Sequence, residues 1–118
     1  MKQLAVGMQA TAQRVFDDDL IAEYAALCGD QPGEAVPEPL IGALFSYLLG
    51  VDLPGSGSVY LKQDLTFVGV AQIGELLTAT VTITHIRTDK PLVTLQTRCT
   101  GADDRLIADG EAIVMVPG

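Results

Sequence analysis

The chain has 118 residues, a formal charge of −8 and 48 % hydrophobic residues, with a pI near 4.3 and a mean hydropathy of +0.34. That length suits one domain spanning 1–118 and leaves no room for a second core. Seven Lys and Arg scattered among fifteen Asp and Glu argue against nucleic acid and against an anionic membrane surface. High hydropathy in so small a chain predicts apolar surface covered by another chain, with a homodimer the simplest case.

The elements follow in chain order. Ala10–Phe16 reads as a strand. Asp17-Asp18-Asp19 supply an N-cap and favourable negative charge for a helix from Leu20 to about Leu27, with Leu20, Tyr24 and Leu27 as its apolar face and Gly29 as its stop. No regular element is expected between Gly29 and Glu38. From Pro39 to about Leu49 the sequence is apolar nearly all round, so a central helix there must be buried, ending at Gly50. Pro54-Gly55-Ser56-Gly57 is a loop. Val59–Phe67, Leu77–Arg87, Leu92–Thr100 and Glu111–Val116 carry the β-branched and alternating residues of strands, with Asp89-Lys90-Pro91 and Ala102-Asp103-Asp104 as hairpin connections. One buried helix followed by an antiparallel meander predicts an α+β fold.

Cys28 and Cys99 lack metal-ligand spacing and are expected to stay reduced. Met1–Ala12 does not read as a signal peptide, and Leu40–Val51 is too short and interrupted to span a bilayer, which makes cytoplasmic the default expectation. Lys62, Arg87, Lys90 and Arg98 are the local cations that could meet an anionic ligand.

Several strings together resemble the MaoC-like (R)-specific enoyl-thioester hydratases and dehydratases. They are Ile21–Asp30, Leu40–Gly50, Leu53–Phe67, Ile73–Val81, Arg87–Leu95 and Gly110–Pro117, in the family's order and covering nearly the whole chain. The resemblance implies a hot-dog fold, a curved antiparallel sheet wrapped around one long apolar helix and dimeric, acting on an acyl-coenzyme A or acyl carrier protein thioester without cofactor or metal. Family members follow Gly-Asp with a G-D-x-N-P-x-H motif and open the central helix with A-H-G. Here Gly29-Asp30 runs into Gln31-Pro32-Gly33-Glu34, and Val36-Pro37-Glu38-Pro39 stands at the start of the helix. The stretch that would carry the catalytic histidine is missing, and His85, the only histidine, lies far along the chain.

Hydration of an enoyl thioester needs a base, an acid and donors at the thioester oxygen. The carboxylates near the expected pocket are Asp30, Glu34 and Glu38. The carbonyl donors are the N–H groups of Glu38, Leu40 and Ile41 at the start of the central helix. Leu40, Ile41, Phe45, Ser46, Tyr47 and Phe67 are the candidate acyl-binding residues, although Phe45, Tyr47 and Phe67 read more readily as core. Two readings stand: a diverged enzyme on an acyl thioester or polyketide-like substrate working by carboxylate proton transfer, or a non-catalytic acyl-binding protein that partners a catalytic homologue in a heterodimer.

Overall fold

A computed structural model describes residues 4–29, 33, 35–55 and 57–117. β1 (Gln9–Val15) leads into helix α1 (Asp18–Cys28), then α2 (Glu38–Tyr47), which continues as a wider helical turn over Leu48–Asp52. β2 (Val59–Phe67), β3 (Leu76–Ile86), β4 (Leu92–Thr100) and β5 (Leu106–Met115) follow. The five strands form one antiparallel sheet in the order β1-β3-β4-β5-β2. Register shifts at Tyr60/Lys62, Ile83/His85 and Cys99/Thr100 are of the kind that bend a sheet around a helix.

The alternation in β3 decides which face of the sheet is core. Leu77, Ala79, Val81 and Ile83 are buried, while Thr78, Thr80 and Thr82 turn to the other face and meet Gln13, Thr11 and Gln9 of β1. Against the buried face lie Ile41, Leu44 and Phe45 of α2 and Leu48 and Leu49 of the turn that continues it, joined by Leu95 of β4 and by Ile107 and Val114 of β5. Each such side chain contributes roughly 1.5–3 kcal/mol when fully buried, which makes the α2–sheet contact the main source of stability.

Four expectations are corrected. In α1 the buried residues are Ile21 and Ala25, and Leu27 is 88 % exposed. Asp17 caps the helix by accepting the Leu20 N–H at 2.9 Å, and the phase this sets turns Leu27 outward. The second concerns α2, which is buried on one side only. Ala43, Ser46, Tyr47 and Gly50 are exposed, so its apolar composition exceeds what one sheet can cover. The helix also runs past Gly50, to Asp52. Finally, β5 begins at Leu106 rather than Glu111, with Gly110 paired within the strand opposite Leu65 and Thr97.

Candidate active site

Asp30 and Glu34 lie outside the described residues. Gly29 takes a left-handed conformation at φ 73° and turns its N–H back on the Ala25 and Ala26 carbonyls, ending α1. Ala35 bridges to Gln72, while the Val36 N–H donates to the Ala71 carbonyl at 2.8 Å. That short antiparallel contact fixes where α2 begins. Gln72 is held in turn by Glu75, whose carboxylate accepts the N–H groups of Gln72 at 2.8 Å and Ala102 at 2.9 Å and a guanidinium N–H of Arg105 at 2.7 Å. These bonds hold the Glu75 carboxyl down at about 2, Arg105 being the largest influence.

Glu38 opens α2 as an exposed residue at the rim of a depression of about 220 Å³, which is also lined by Val36, Ile41, Phe67 and Ala71. The structure therefore brings together Glu38, Ile41 and Phe67 of the expected set. Of the helix N–H groups expected to hold a carbonyl, that of Leu40 is spent on the Pro37 carbonyl at 3.0 Å. The Glu38 N–H makes no hydrogen bond among the described residues and sits at the positive end of the helix dipole.

Ser46 lies two turns further on, in a second depression of about 180 Å³ with Leu49, Gly50, Ser58, Tyr60 and Val114. The Tyr60 hydroxyl donates to Gln63 Oε1, and the Gln63 amide donates to Thr97 Oγ1 at 3.1 Å, the buried polar residue of the sheet. Burial pushes the Tyr60 phenol up, offset in part by a hydrogen bond with Ser46. Ser58 Oγ is buried with no partner among the described residues. Sequence reasoning missed Leu49, Ser58, Tyr60 and Val114. Leu49 was legible as the residue three beyond Ser46 on a helix, and Ser58 and Tyr60 as alternate residues of one extended segment.

The remaining candidates fall elsewhere. Phe45 is fully buried under α2 and is core. Leu40 and Tyr47 belong to the opposite flank of α2, in a groove of about 570 Å³ against β1 and α1, because 100° per residue turns Tyr47 away from Ile41 and Phe45. His85 is exposed on β3 opposite Thr94 and lines none of these depressions. Cys28 is exposed and Cys99 buried, both as free thiols, with burial pushing Cys99 up to about 11. Among the described residues no cluster of three His, Cys, Asp or Glu could hold a metal, and no helix is long and apolar enough to cross a membrane.

No family model matches the sequence. The chain is 37 % identical over 131 aligned residues to an (R)-specific enoyl-CoA hydratase of Aeromonas caviae, covering 98 % of both chains. The solved structure of the (R)-hydratase from A. caviae involved in PHA biosynthesis superimposes with a TM-score of 0.90 at 36 % identity, over 99 % of this chain and 100 % of that one. Because 131 aligned residues exceed the 118 of this chain, the relative carries residues that have no counterpart here. An (R)-specific enoyl-CoA hydratase of Rhodospirillum rubrum is 44 % identical over 78 residues, 66 % of this chain and 54 % of that one. A 78-residue match filling 66 % of 118 residues leaves no gap in this chain and, wherever it begins, includes residues 41–78. The body of α2 and all of β2 thus align unbroken, within a fold shared along the whole chain. This chain belongs to the (R)-specific enoyl-CoA hydratase family, and its fold is the hot-dog fold.

Proposed function

We propose that this chain acts on an acyl thioester, carried by coenzyme A or an acyl carrier protein, by moving a proton with carboxylates rather than by ordinary hydration. The observation that carries this reading is the Glu38 depression. It has an N–H that makes no hydrogen bond among the described residues at a helix N-terminus, a carboxylate on its rim, and Ile41 and Phe67 as apolar walls. A thioester oxygen held at the Glu38 N–H would gain charge as a proton leaves the adjacent carbon, and the helix dipole would stabilise that enolate-like oxygen. Asp30, with Glu34 or Glu38, is the base that takes the proton and the acid that returns it. The acyl group would run along the same flank of α2 toward Ser46, Leu49 and Tyr60.

The missing histidine sets the limit. Relatives carry residues that this chain lacks, and the sequence puts the loss between Asp30 and Glu38, outside the unbroken 41–78. The one histidine is exposed on β3. Water activation by an Asp-His pair is therefore replaced by proton transfer at carbon.

The test is exchange of the α-carbon hydrogens of butyryl-coenzyme A in deuterated water, followed by NMR. Wild type should exchange them, Asp30→Asn should slow exchange about a hundredfold or more, and hydration of crotonyl-coenzyme A should be negligible. Hydration at an ordinary hydratase rate, or full exchange in Asp30→Asn, Glu34→Gln and Glu38→Gln alike, would overturn the carboxylate reading.

A second reading is favoured by one feature, the exposed apolar edge of β2 at Val59, Tyr60 and Leu61 beside the Ser46 depression. A catalytic homologue paired there would leave this chain as an acyl-binding subunit. Hydration that appears only when a full-length relative is co-expressed and co-purified would establish it.

A further inference from the structure

The groove on the β1 flank of α2 has no part in the reading above, and its volume of about 570 Å³ lies within the rough range of 300–1,000 Å³ that small-molecule sites occupy. Its apolar body is Phe16, Leu20, Leu40 and Leu44, drawn from the end of β1, from α1 and from α2. Phe16 and Leu44 are buried beneath it, while Leu20 and Leu40 stay partly open to solvent.

Arg14 also lines the groove. Its guanidinium carbon lies 5.6 Å from the centre of the Phe16 ring, a cation–π contact that holds the charge over the apolar floor. The ion pairs among the described residues use Lys62, Arg87 and Arg105, so Arg14 has no carboxylate within 4.0 Å there. Asp52 lines the same groove but already has a partner of its own. In a chain with fifteen acidic residues and seven basic ones, an arginine with no ion pair among the described residues, beside an apolar groove, is an opening for an anion. A guanidinium is weakly hydrated, and its planar fork matches a carboxylate with two parallel hydrogen bonds.

We infer that this groove is a second binding site, on the far side of α2 from the thioester site, for an apolar monocarboxylate whose head pairs with Arg14 and whose body lies on Phe16, Leu20, Leu40 and Leu44. Isothermal titration of the full chain with octanoate, and with 1-octanol as the neutral counterpart, tests it. Octanoate should bind at one per chain. Arg14→Met should weaken octanoate at least about tenfold and leave 1-octanol unchanged. Ala43→Phe, at an exposed position on the groove wall, should remove both. Absence of saturable octanoate binding, equal octanoate affinity in Arg14→Met, or binding that survives Ala43→Phe would overturn the proposal. Should Ala43→Phe lose the wild-type circular dichroism spectrum, the Arg14→Met comparison decides alone.

Discussion

Glu75 ties together two connections that are far apart in the sequence, the approach to β3 and the turn between β4 and β5. Its carboxyl is held at about 2 against an ordinary 4.5, so the folded state favours the charged form. The sign follows directly: this contribution is complete above about 4.5 and is lost as pH falls from there through about 2. Glu75→Ala should destabilise by about 1–3 kcal/mol at neutral pH, through the charge-assisted bonds it removes, and the deficit relative to wild type should shrink toward pH 2 in urea titrations. None of this was visible in the sequence, where Glu75 is one acidic residue of fifteen. Helix spacing and family resemblance made Glu38, Ile41 and Phe67 legible. The same reading grouped Tyr47 with Ser46, although neighbours on a helix point about 100° apart.

At the scale of elements, period-2 alternation made β2, β3 and β4 readable to within a residue, and the Asp17 cap and Gly29 stop bracketed α1. The start of β5 was not readable. Asp109-Gly110-Glu111 has the composition of a turn, yet Gly110 sits in mid-strand because β2 passes so close that a Cβ there would lie 1.7 Å from the Asp64 carbonyl oxygen. Gly110→Ala should therefore cost about 3 kcal/mol or more, since backbone on both strands would have to move. Gly42→Ala, on α2 with nothing within 4 Å of the added methyl, should be neutral or stabilising by up to about 1 kcal/mol. Thermal melts of the two variants, side by side, check both expectations.

For the whole molecule, the sheet has two open edges, β1 and β2, and the apolar side chains Val59, Tyr60 and Leu61 stand exposed on the second. An unpaired apolar edge is a template for another strand, so we expect a homodimer in which β2 pairs with its copy and two sheets become one. Sedimentation at micromolar concentration should show the dimer, and Leu61→Lys should shift it toward monomer. A wild-type monomer under those conditions would refute this assembly. Hydropathy and the family resemblance lead to the expectation of a dimer; the edge it would use could be named only once the strand order was known.

The contact between Ala35–Val36 and Ala71–Gln72 has an engineering consequence. Together with the Gly29 cap it gives the connection between Gly29 and Ala35 two fixed posts, held by the Ala25 and Ala26 carbonyls on one side and by Ala71 and Gln72 on the other. Such a connection is a splice point. Lengthening a loop costs only about 0.6 kcal/mol per doubling, so a graft of a segment carrying the G-D-x-N-P-x-H pattern between Gly29 and Ala35 should be tolerated. If the rest of the pocket has kept its shape, the histidine introduced with that pattern should give crotonyl-coenzyme A hydration, which the parent is expected to lack, read as loss of enoyl absorbance. A chimaera that folds with the parent's melting profile yet stays inactive would place the divergence in the walls of the pocket.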